Sequence, residues 1–192
     1  MGNLAFDFSG AKNEALVIDV ETQRLSDEVD GGWNAVDQFL VALVVTWDEA
    51  SDMRVWYENE VPSLLKEAEK FQKIVTFNGE NFDFTVLSHY GSVDVLRQRS
   101  VDLLVELSKI LGFRVKLDSL ARATLKKGKI GTGTESVQWW RSRKVALRQK
   151  VVDYCKMDVE LTRDIYHFGK ENRYVMVEDL KEGRPRRVDV SW

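Results

Sequence analysis

Leu16-Val17-Ile18-Asp19-Val20-Glu21-Thr22 decides how this chain is read. Three apolar residues run into Asp19, the pattern of a central β-strand covered on both faces. On a strand, residues i and i+2 share a face, so Asp19 and Glu21 project together. Two carboxylates on one face repel and lose hydration unless something positive sits between them. A divalent metal supplies that charge most simply. Two acidic segments downstream, around Asp83 and Asp158, offer the remaining ligands.

Working outward, Phe39–Trp47 is apolar and β-branched, and Met53–Glu58 alternates, so the first three strands form an antiparallel meander. Helical spacing runs from about Val61 to Phe71, with Pro62 tolerated in a first turn. Lys73–Phe77 is a short strand, Asn78-Gly79-Glu80-Asn81 punctuates, and Phe82–Tyr90 reads as a helix. A short strand is expected at Ser100–Leu104, with helices over Leu104–Leu111, Leu117–Lys126 and Lys144–Phe168 and a strand-like tail. The fold class is α/β: a mixed central sheet, antiparallel in its first three strands and then parallel, flanked by helices.

With 192 residues, 44% of them hydrophobic, the chain suffices for a single domain, residues 1–192, with a substantial core. One cysteine, Cys155, excludes an internal disulfide and points to a reducing compartment. No apolar run approaches the ~20 residues that span a bilayer, and the start of the chain lacks a signal-peptide pattern. A soluble, cytoplasmic protein without membrane contact is expected. Net charge is only −3, but residues 109–150 hold twelve Lys/Arg against Asp118 and Glu135, leaving that section at +10 and the rest at −13. Such a distribution suits a polyanion groove beside a metal pocket, or equally a solvated helical face.

Each later acid has an ordinary alternative. Asp83 follows two asparagines able to cap a helix, and an acid suits the first turn. Asp158 shares a helix face with Tyr154, Leu147, Val151, Thr162 and Ile165, an apolar stripe on which a charge needs a partner. Arg122 or Arg148 could be that partner in a structural salt bridge. Taken together, the four acids suit Mg²⁺ or Mn²⁺, since no His/Cys zinc constellation is present.

Asp-x-Glu at 19–21, Asn-x-x-x-Phe-Asp at 78–83 and Tyr-x-x-x-Asp at 154–158 occur in order over about 140 residues. In these motifs the chain resembles the DEDD 3′–5′ exonucleases of the ribonuclease H-like superfamily. Tyr154 places the resemblance in the DEDDy subgroup, because the position of the sister subgroup's histidine is Asp153 here. The stretch from Val101 to Gly133 also looks like a group of predicted bacterial and archaeal ribonuclease H-like exonucleases, with Asp102 an accessory acid or, more simply, a strand-end or helix cap.

The resemblance implies two divalent ions, Mg²⁺ or Mn²⁺. Asp19, Glu21 and Asp158 would hold one, Asp19 and Asp83 the other, and Tyr154 would orient the attacking water. It further implies phosphodiester hydrolysis at single-stranded 3′ ends of DNA or RNA, releasing nucleoside 5′-monophosphates. Thr22 and Gln23 are placed to contact the terminal nucleotide; Asn78 contacts the strand or caps a helix. Lys126, Lys127 and Lys129 form a basic loop suited to phosphates. Association with replication, repair or RNA-processing proteins is compatible with this reading. A structure-specific endonuclease, or a non-catalytic module that binds nucleic acid or protein, remains the alternative. Trp139 and Trp140 could stack a base, although one at least is expected in the core. Cys155, His89 and His167 are read as packing or surface residues, and Arg184-Pro185-Arg186-Arg187 as a solvated turn.

Overall fold

The computed structural model describes residues 14–128, 133–179 and 184–192. Lys129 and the glycine at 131 therefore lie outside the described residues, as does the N-terminal segment. Five strands form one sheet: β1 (Ala15–Thr22), β2 (Val41–Asp48), β3 (Asp52–Tyr57), β4 (Lys73–Thr76) and β5 (Ser100–Asp102). Their order is β3-β2-β1-β4-β5. β2 is antiparallel to β1 and β3, whereas β4 runs parallel to β1 and β5 parallel to β4. This is the mixed sheet expected from the alternation of elements.

Helices cover both faces. Leu16, Ile18 and Val20 point to one side, where α1 (Val61–Ala68) contributes Leu64 and α2 (Asp83–Leu87) contributes Phe84 and Leu87. Val17 points to the other, against Leu107 of α4 (Leu103–Leu111), Leu120 of α5 (Leu117–Leu125) and Val159 of α7 (Val145–Asn172). Two-sided burial is why the first strand reads as an unbroken apolar run rather than an alternating one. Asp19 and Glu21 continue the Val17 face and meet α7.

Sequence spacing located α7 but not α3 (Asp94–Gln98), which is one short turn, nor the boundaries of α6 (Gly133–Arg141). The helix expected over Phe82–Tyr90 is shorter, Asp83–Leu87. The arginines at 184, 186 and 187 are not in a turn: they lie on β7 (Arg184–Asp189), paired with β6 (Tyr174–Asp179). Pro185 is tolerated there because the hairpin is a two-stranded edge. Thr124 of α5 fastens the hairpin, exchanging hydrogen bonds with the Met176 backbone.

The turn after β4 aims Asp83. Asn78 takes a left-handed backbone, φ 76°, which asparagine tolerates better than most residues. Gly79 packs so close to β4 that an added Cβ would lie 2.5 Å from the Thr76 Cβ. Gly79→Ala must therefore displace this turn. Thermal unfolding should show a loss of about 1–3 kcal/mol, the usual cost of overpacking.

Candidate active site

β1 outruns β4. Their ladder ends at Val17↔Val75, while β1 continues to Thr22. Beyond that point the β4 side of β1 needs other hydrogen-bond partners, and Asp83 supplies one: its carboxylate accepts the Val20 backbone N–H. That contact brings Asp83 beside Asp19. Burial pushes the Asp83 carboxyl well up from its ordinary pKa, and the negative charges of Asp19 and Asp102 push it further.

Asp102 fixes the turn from below. Almost fully buried, it is the N-cap of α4, accepting from Leu104 N at 3.0 Å and Val105 N at 3.2 Å. The same carboxylate accepts Asn78 N at 2.8 Å and Glu80 N at 3.0 Å. One acid thus joins the start of α4 to the turn that presents Asp83. Asn78 does not cap α2, whose N-cap position is Phe82. Its side-chain oxygen instead accepts from Arg114 Nη2 at 2.7 Å.

α7 brings the third segment. The Cys155 thiol touches Asp19, 3.1 Å from Oδ2 and 3.4 Å from the backbone oxygen. Burial raises the pKa of this thiol, and so do the nearby charges of Asp19, Glu21 and Asp158. The cysteine is small and apolar enough to let the helix approach the strand. Tyr154 and Asp158 are both buried, one helical turn apart. The arginines considered as structural partners for Asp158 sit elsewhere: Arg122 pairs with Asp118 at 2.6 Å, and Arg148 lies over the Trp140 ring.

On α6 the sequence singled out the tryptophans but neither Ser136 nor Arg141. The buried Ser136 hydroxyl donates to Glu21 Oε2. Arg141 donates through Nε to the Gln23 carbonyl at 3.0 Å and through its other nitrogens to Glu28, whose carboxyl it holds down at about 2. A serine in a helix beside two tryptophans carries no pattern that would have announced this role.

Other expected contacts are placed less favourably. Thr22 is buried and its hydroxyl donates to the Arg24 carbonyl. Gln23 Nε2 donates to the Val41 carbonyl and to Glu58 Oε2, both at 2.8 Å. Lys126 ends α5 and bonds the Ala123 carbonyl. Lys127 pairs with Asp164 at 2.7 Å, and Asp164 is six residues past Asp158, about 9 Å further along the helix at 1.5 Å per residue. Lys126 and Lys127 are therefore not brought to the acids. His167 packs edge-on to Trp47 and Tyr166, and His89 to Tyr90.

The donor set is all oxygen, acidic and mutually repelling, which suits a hard divalent cation. Among the described residues, however, no group of three or more His, Cys, Asp or Glu side chains is gathered tightly enough to hold a metal ion.

The sequence matches the family description "RNase H superfamily" over residues 16–168. The chain belongs to the RNase H superfamily. The matched segment of this RNase H domain opens on β1 and closes near the end of α7, so it contains every acid discussed above. Among solved structures, the domain is similar to the family B DNA polymerase of the hyperthermophilic archaeon Pyrobaculum calidifontis, with a TM-score of 0.61 and 17% identity. The alignment covers 82% of this chain and 24% of the polymerase, so the domain spans about a quarter of that protein's length. At this identity the likeness is one of fold. A structure described as "apo form of the nuclease" aligns over 88% of this chain and 77% of its own at 14% identity, with a TM-score of only 0.40. No curated protein matches the chain. No described helix is long and apolar enough to cross a membrane.

Crowded carboxylates cost stability when no cation is present. Asp83→Asn keeps an acceptor for Val20 N–H but removes the charge facing Asp19. In chelator at pH 8 its melting temperature should exceed that of the wild type by about 3 °C, corresponding to about 1 kcal/mol in a domain of this size. Calorimetry checks this directly; an equal or lower melting temperature would mean that Asp83 is not held under repulsion.

Proposed function

We propose that this protein is a metal-dependent 3′–5′ exonuclease, removing nucleoside 5′-monophosphates from single-stranded DNA or RNA. The observation that carries this reading is the approach of α7 to β1, which sets the Cys155 thiol on Asp19 within reach of the charges of Glu21 and Asp158, while Asp83 feels the charge of Asp19. Three distant segments of sequence supply one patch of negative charge, at the end of the central strand.

Asp19, Glu21 and Asp158 would hold one divalent ion, and Asp19 with Asp83 a second. Such ions, when bound, lower the pKa of a coordinated water and offset charge on the phosphate. The chain's own groups do the positioning. Ser136 fixes one oxygen of Glu21. The Cys155 thiol orients Asp19 through Oδ2. Asp102 keeps the Asp83 turn from drifting: it is fixed by two N–H groups of α4, and the two N–H groups of the turn must leave it before the turn can move. Tyr154, packed one turn before Asp158, orients the attacking water by hydrogen bonding and shields it from bulk solvent.

A 5′-labelled oligonucleotide with Mg²⁺ or Mn²⁺ should shorten from its 3′ end as a ladder, and chelator should stop it. Asp19→Ala should lose at least about 10³-fold in rate, and Tyr154→Phe about 10²-fold, the scale of a positioned proton-handling group. A ladder indifferent to Asp19→Ala would falsify the assignment. Cleavage of closed circular substrate would instead favour an endonuclease.

One observation favours a second reading, a non-catalytic module that binds nucleic acid. The acids are not gathered to ligand spacing among the described residues. Titration calorimetry with Mn²⁺ separates the two: the exonuclease reading expects binding that Asp19→Ala and Asp158→Ala each abolish, and the module reading expects none.

A further inference from the structure

Two clefts lie along α6 and α7, and they share Trp140 and Arg148. The first, about 310 Å³, is lined by Gln23, Arg24, Trp140, Arg141, Arg143 and Arg148. Four guanidinium groups around so small a space is a strong concentration of positive charge. Arg141 is offset by Glu28. Among the described residues, Arg24, Arg143 and Arg148 take part in no ion pair, and all three are exposed.

The second cleft, about 470 Å³, is different in kind. Its walls include Tyr57, Trp140, Val145 and Val152, with Glu58 on one side. Tyr57 is 47% exposed and Val145 85% exposed, two of the few large apolar side chains left open to solvent. The Glu58 carboxylate is already engaged, accepting from Gln23 Nε2 and from the Tyr90 hydroxyl, each at 2.8 Å. Arg148 forms the partition, its guanidinium 4.5 Å from the centre of the Trp140 ring.

Anion sites beside aromatic walls, joined by an arginine that faces both, suit a ligand alternating phosphates with flat bases. The clefts are built on the elements that carry the acids: Gln23 follows Glu21 at the end of β1, and Val145, Arg148 and Val152 lie on α7, the helix of Tyr154 and Asp158. We infer that this double cleft is the track for the single strand leading to the reacting 3′ end, phosphates on Arg24, Arg143 and Arg148, a base against Tyr57 and Trp140. The inference rests on the exonuclease reading for its direction, and it supplies what that reading lacks, a reason for preferring single strands. Paired bases have no free face to offer the aromatic wall. The Lys126–Lys127 region carries no part of this track.

The experiment measures binding apart from cleavage. Fluorescence anisotropy with the Asp19→Ala protein in chelator follows labelled DNA and RNA strands of about 12 nucleotides, the matched duplex, and inorganic polyphosphate as competitor, across a range of NaCl. Single strands should bind more tightly than duplex. Arg143→Glu with Arg148→Glu should weaken single-strand binding at least ten-fold and flatten the log–log salt dependence by about 1.4, or 0.7 for each phosphate no longer neutralised. Tyr57→Ala, at an exposed edge-strand position, should weaken binding about five-fold or more while leaving polyphosphate affinity unchanged.

An unchanged salt slope in the double arginine variant, checked for folding by its melting temperature, overturns the inference. So does duplex bound as well as single strand, or polyphosphate affected equally by Tyr57→Ala. Ladder formation with intact binding in the arginine variant would leave the exonuclease standing and remove the track. Abolished binding in the variant with no ladder from the wild type would do the reverse.

Discussion

The backbone N–H of Val20 needs a partner where β4 has ended, and Asp83 provides it. Much of the candidate site depends on this contact. A central strand buried on both faces cannot leave its last polar groups unsatisfied, and the side chain that fills the gap is itself an acid. It arrives beside Asp19, whose direction was fixed by strand alternation. The geometry that completes the sheet thus also accumulates negative charge at its end, from residues far apart in the chain.

Such an arrangement is stable only because its surroundings are rigid. Asp102 ties the Asp83 turn to α4 through four backbone hydrogen bonds. Gly79 lets that turn lie against Thr76. Ser136 and Cys155 each engage one acid from the opposite layer. Neither Ser136 nor Cys155 brings a positive charge to the carboxylates; each donates one hydrogen bond to a carboxylate. They hold the carboxylates in place despite their repulsion, which is the condition under which a site favours a cation over its own collapse.

The sheet was legible because its signals are local. An apolar run of strand length before Asp19, a β-branched run, an alternating run and a short strand before a glycine turn sufficed for a mixed sheet, antiparallel and then parallel; the strand order came from the structure. The acids were legible because a charge on an apolar stripe, as at Asp158, contradicts its neighbourhood. The supporting residues were not. Ser136 lies 115 residues from Glu21, and nothing in its own segment distinguishes it from a solvent-facing serine. The partners of Lys127 were not legible for a related reason: charge runs show on sequence, whereas its ion pairs with Asp164 and Glu160 depend on how α5 lies against α7. The dispersed arginines at 24, 143 and 148 formed no run, yet the fold gathers them.

α6 is a nine-residue rod carrying contacts at both ends. Near its start Ser136 grips Glu21; near its finish Trp140 and Arg141 form walls of the cleft, and Arg141 is anchored to Glu28 and the Gln23 carbonyl. A helix this short transmits displacement rather than absorbing it. A ligand seated against Trp140 would therefore lie one helical turn from the serine that holds Glu21.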